Sequence, residues 1–103
     1  MNITVDMEGK TSIGNYLNTD ENIDELSFSN GEKVTHIGID FLGDFTFTNK
    51  TNHVKILDLS GLPNVTSIGR GFLSGCESLE TITWPDTPTW NKQRKIYENK
   101  YDN

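Results

Sequence analysis

Cysteine is almost absent from this 103-residue chain, Cys76 being its only one. A lone thiol closes no intramolecular disulfide, and without a Cys-x-x-Cys pair there is no thiol site for zinc or dithiol redox chemistry. Long apolar runs are missing too: no stretch approaches the roughly 20 residues that span a bilayer. The opening MNITVDMEGK lacks the basic-then-apolar order of a secretory signal. The expectation is no membrane insertion. The cytoplasm is the default compartment, with the cell surface or secretion open if the chain is a fragment of a longer protein. Positive charge is scarce as well, 9 Lys and Arg against 15 Asp and Glu, for a net charge of −6. Lys92, Arg94, Lys95 and Lys100 against Glu98 and Asp102 give the last thirteen residues a local +2, so the body carries −8. An acidic body repels phosphate backbones, and nucleic acid is not an expected partner.

What is present suffices for one small domain. Hydrophobic residues make up 33% and aromatics 10% of the chain, above the level of sequences that stay unfolded. The apolar residues are also organised. Ile23-x-x-Leu26-x-Phe28, Val54-x-x-Leu57-x-Leu59 and Leu79-x-x-Ile82-x-Trp84 share one spacing. The first two are followed, at equal distance, by Val34-Thr35-His36-Ile37-Gly38 and Val65-Thr66-Ser67-Ile68-Gly69, then by Phe41-Leu42 and Phe72-Leu73. A shorter copy runs Ile3-x-Val5, Thr11-Ser12-Ile13-Gly14, Tyr16-Leu17. The Thr-x-Ile-Gly motifs are 24 and then 31 residues apart, the longer period carrying an inserted stretch, Asp44 to His53.

Residues two apart on an extended strand share a face, and one strand cannot bury that face alone. Stacked copies would align Ile3/Leu26/Leu57/Ile82 and Val5/Phe28/Leu59/Trp84 as core columns under a short parallel β-sheet of about four strands, with loop or short helical returns. Gly38 and Gly69 are expected to supply tight bends. The divisions are a degenerate copy over 1–22, a copy with the insertion 44–53 over 23–53, the best copy over 54–78, a last strand over 79–86, and a C-terminal cap or tail over 87–103. A helix across Trp90 to Tyr101 would place Trp90, Ile96 and Tyr97 on one side.

These residues carry a resemblance. Leu62-Pro63-Asn64-Val65-Thr66-Ser67-Ile68-Gly69, Phe72, Gly75-Cys76, Ser78-Leu79, Ile82 and Pro85 follow the unit of the BspA-like, or Treponema pallidum-type, leucine-rich repeat family. The chain departs from that unit at Leu73 and in the 44–53 insertion. The resemblance implies a leucine-rich-repeat solenoid with Cys76 as a buried filler. Members are often surface-attached adhesins or host-interaction factors.

Chemistry-bearing patterns are sparse. His36 reads as a surface residue, and neither it nor His53 can be set beside Cys76 from sequence. The carboxylate pairs Asp20/Glu21, Asp24/Glu25 and Asp40/Asp44 read as solvated surface, and no calcium-loop spacing occurs. Three glycosylation-type triplets, at Asn2, Asn49 and Asn64, read as chance matches. No enzyme class, cofactor or metal is expected.

On each strand the residues alternating with the buried pair would project outward in rows: Asn2, Glu25, Ile56, Thr81; then Thr4, Ser27, Asp58, Thr83; then Asp6, Ser29, Ser60, Pro85. They would form a polar, somewhat acidic concave strip for a protein or peptide partner. The candidate binding residues are Thr4, Asp6, Glu25, Ser27, Ser29, Ile56, Asp58, Ser60, Thr81 and Thr83. Two other readings stand beside it: a small acidic inhibitor or mimic filling a basic groove, and a self-assembling structural repeat, with homo-oligomers formed through the repeat ends.

Overall fold

Alternation of apolar and polar residues sets the strands, and the computed structural model places seven of them among residues 1–15, 22–43, 53–74 and 76–101, which it describes. They are β1 (Asn2–Asp6), β2 (Ser12–Ile13), β3 (Glu25–Ser29), β4 (His36–Ile37), β5 (Ile56–Asp58), β6 (Ser67–Ile68) and β7 (Thr81–Thr83), followed by one helix, α1 (Pro88–Tyr101). Tyr16 and Leu17, the Asp20/Glu21 pair, positions 44–52 of the insertion with the Asn49 triplet, Gly75 and residues 102–103 lie outside the described residues.

The chain alternates between two parallel sheets. Odd-numbered strands form a four-stranded sheet in the order β1-β3-β5-β7, and even-numbered strands a three-stranded one in the order β2-β4-β6. Ile3 lies opposite Leu26, Leu26 opposite Leu57, and Leu57 opposite Ile82, so one expected core column is continuous. In the second sheet Ile13, Ile37 and Ile68 align. The core lies between the sheets. Leu57, Ile37 and Phe41 are wholly shielded from solvent, while Ile3, Val5 and Ile82 of the terminal strands, and Trp84 just beyond β7, are only partly buried.

Of the two forms expected for the returns, loop and short helix, the described residues take the first. Among the described residues they contain turns and two-residue strands, not helix. The reason is where the backbone groups go: the Thr35 N–H donates to the Thr11 carbonyl at 2.9 Å and the Thr66 N–H to the Thr35 carbonyl at 2.9 Å. Gly38 and Gly69 repeat the pattern by donating to Ile13 and Ile37 at 2.8 Å. Bonds between successive copies replace those a helical turn would make within one copy.

The role expected of Gly38 and Gly69 also changes. Neither has a positive φ; both are needed for close approach. A Cβ on Gly38 would meet the Asn15 side chain and, at 2.8 Å, the Gly14 carbonyl carbon; one on Gly69 would meet the Gly38 carbonyl carbon and the Ile39 nitrogen at 2.7 Å. Left-handed backbone falls instead on Gly9 and Asn30 and, in two pairs each separated by the repeat of 31, on Asp40 and Gly71 (φ 56° and 77°) and on Leu42 and Leu73 (φ 53° and 58°). Both leucines are fully buried. Burial holds side chains of this size in a conformation they rarely adopt.

Aromatic rings join this core to α1. Phe28 lies 6.1 Å from Phe41, Phe41 stacks on Phe72 at 5.0 Å and 9°, and Phe72 meets Trp90 at 5.7 Å. Trp84 then touches Trp90 at 5.9 Å and Tyr97 at 6.0 Å. The helix starts with Thr87, whose hydroxyl accepts from the Trp90 N–H at 3.3 Å, and with Pro88 in the first helical position. Trp90 is completely buried, and its indole N–H donates to the Leu62 carbonyl at 2.7 Å. Ile96 does not join this side. It is 51% exposed, because at 100° per residue position 97 returns to the bearing of position 90 whereas 96 does not.

Candidate binding face

The outer face of the four-stranded sheet is built by the residues that alternate with Leu26 and Leu57. Its first row is continuous: Asn2 opposes Glu25, Glu25 opposes Ile56, and Ile56 opposes Thr81. Ile56 is 37% exposed among polar neighbours, so this row presents an apolar contact beside a carboxylate. In the second row Thr4 opposes Ser27, their hydroxyls sharing a hydrogen bond of 2.8 Å, and Asp58 opposes Thr83.

The third row is shorter than the spacing suggested. Asp6 opposes Ser29, but β5 ends at Asp58 and β7 at Thr83. Ser60 therefore sits in the following turn, and Pro85 is buried and does not project outward. The cause is local. The Asp58 carboxylate accepts the Ser60 N–H at 2.9 Å, an Asx turn that closes the strand. Gly61 then passes so close to the Phe28 carbonyl that no side chain fits.

Asp6 makes the same kind of turn, accepting the Glu8 N–H at 3.0 Å, and it also accepts the Asn30 side-chain amide at 3.0 Å. Asn30 first, and then the Glu8 N–H, hold the Asp6 carboxyl below the usual carboxylate range. Asp24, directly before β3, is lowered by a 2.5 Å hydrogen bond from the N-terminal ammonium and by its charge, with smaller contributions from Lys55 and His53. Two of the predicted contact residues, Asp6 and Asp58, thus also close strands. The Asp-x-Ser and Asp-x-Glu spacings carry that signal in the sequence.

The remaining chemistry-bearing groups do not converge. His36 is exposed on the three-stranded sheet, its Nδ1 3.0 Å from the Ser67 hydroxyl. Cys76 is buried, and its thiol donates to the Leu42 carbonyl at 2.8 Å. Among the described residues no three His, Cys, Asp or Glu side chains cluster as metal ligands, and no helix is long and apolar enough to cross a membrane.

Two grooves beside α1 were not foreseen. One of about 380 Å³ runs between Ile68, Phe72, Gln93 and Ile96; one of about 210 Å³ lies between Ile82, Trp84, Arg94 and Glu98. Both border Tyr97 and exist because Trp90 fixes where the helix rests, which spacing alone does not specify. No family model, curated protein or solved structure matches the chain.

Proposed function

We propose that the chain is a short solenoid of the leucine-rich-repeat kind, with α1 as its C-terminal cap, and that the outer face of its four-stranded sheet binds a protein or peptide. Support for the architecture comes from the shared registers: the same motif positions lie opposite one another in both sheets. The observation that carries the binding reading is the row Asn2–Glu25–Ile56–Thr81, with Ile56 exposed beside Glu25. A partner that fits it presents an extended segment pairing an apolar side chain with a basic one.

Selection from a random-peptide display library against the immobilised chain tests this reading. The expected consensus alternates apolar and basic residues, and binding is lost with Ile56→Lys and weakened by the pair Glu25→Gln and Asp58→Asn, which keeps the Asp58 turn acceptor. Peptides that bind those variants and the parent alike would remove the face from consideration. Raising the salt separates this mode from an acidic mimic, because binding by charge alone fades once the screening length falls below about 10 Å.

A further inference from the structure

Among the described residues the outer edge of the first strand is unpaired. Met7 donates its N–H to the Ser29 carbonyl at 2.8 Å, and the Met1 carbonyl accepts from Asp24 at 2.8 Å. Backbone groups alternate along a strand, so Ile3 and Val5 also point theirs at β3, and Asn2, Thr4 and Asp6 turn theirs to the opposite side. Among the described residues nothing pairs with that side. The side chains of Ile3 and Val5 are only partly covered, unlike their register partners Leu26 and Phe28 at 2% and 6% exposure.

We propose that β1 pairs with β1 of a second copy of this chain, antiparallel and with the two-fold axis at Thr4. The strand Asn2-Ile3-Thr4-Val5-Asp6 is self-complementary in that register. Thr4 faces Thr4, Ile3 faces Val5, and Asn2 faces Asp6, whose Oδ2 makes no bond among the described residues. All three outward-facing backbone positions then pair with outward-facing ones, and the apolar pair continues the core column. Sliding the partner by two residues leaves two such pairs instead of three, and in one direction sets Asp6 beside Thr4. A slide of four sets Asp6 against Asp6, and like charges directly opposite are destabilising. The contact is isologous, so it closes at two copies. At the other end of the sheet α1 packs its Trp90 and Tyr97 against Trp84, just beyond β7.

Light scattering after size exclusion, across a range of chain concentrations, tests the pairing. The expected mass rises from one chain to two and stops there. Thr4→Pro removes an outward N–H without touching the β1–β3 ladder, a position where edge strands accept proline, and is expected to abolish the dimer while circular dichroism stays that of the parent. Asn2→Asp places two like-charged pairs across the axis and Asn2→Lys two opposite ones. They are expected to shift the association constant down and up by about tenfold each. A single-chain mass at every concentration, a mass that grows past two chains, or a dimer indifferent to Asn2→Asp and Asn2→Lys would overturn the proposal.

Discussion

Close approach at single glycines decides how tightly successive copies stack. A methyl on Gly69 drives into the Gly38–Ile39 backbone, which has no flexible end to yield. Gly69→Ala is therefore expected to cost about 1–3 kcal/mol, the usual range for overpacking. Gly14 is the internal control: a methyl there meets nothing within 4 Å and its φ is ordinary, so Gly14→Ala is expected to be neutral or to gain about 0.4–1 kcal/mol through the unfolded chain. Urea titrations of the two variants check the order, and a reversed order would mean that the copies do not approach as described. Cys76 offers a second check. At 5% exposure, with its thiol given to the Leu42 carbonyl, it is expected to resist an aromatic disulfide reagent in the folded chain and to react fully in denaturant. Prompt labelling without denaturant would place it elsewhere.

Trp90 is the helix's fully buried anchor, with Tyr97 adding a second contact to Trp84. Trp90→Phe keeps most of the ring contacts and strands the buried Leu62 carbonyl, for an expected loss of about 1–3 kcal/mol. Trp90→Ala also empties the space between Phe72 and Trp84 and is expected to cost about 3–5 kcal/mol. Thermal or urea unfolding that failed to separate the two would assign the whole effect to packing. The odd-numbered strands were legible in the sequence because a spacing of two fixes a face and Leu26 and Leu57 stand at equal distances from their Thr-x-Ile-Gly motifs. The two-residue strands were not legible. Ser67-Ile68 has no pattern of its own and becomes a strand only because Thr35 and Ile37 of the previous copy accept its neighbours' N–H groups. Ile96 misled because an apolar residue invites a buried reading, whereas the helical angle set by Trp90 turns it outward. The outer rows followed from alternation as far as Thr83; Pro85 fell out because β7 stops at three residues.

Across the whole molecule a net charge of −6 makes acid the informative direction. Asp6 and Asp24 both titrate below their ordinary value of 3.8 in the fold. A lowered native value adds stability above the unfolded one and withdraws it as pH falls through the native one. Stability is therefore expected to be level between about pH 7 and pH 5 and to decline below about pH 4. Asp24→Asn is expected to flatten part of that decline; a main loss between pH 7 and pH 5 would point to other groups. The rings that tie α1 to the core have a further, optical consequence. The chain's two indoles, Trp84 and Trp90, lie 5.9 Å apart at 59°. Chromophores that close and that inclined mix their electronic transitions, giving a paired positive and negative band in far-ultraviolet circular dichroism. The seam between the helix and the last strand thus carries its own spectroscopic label, and its opening can be followed on the unmodified protein.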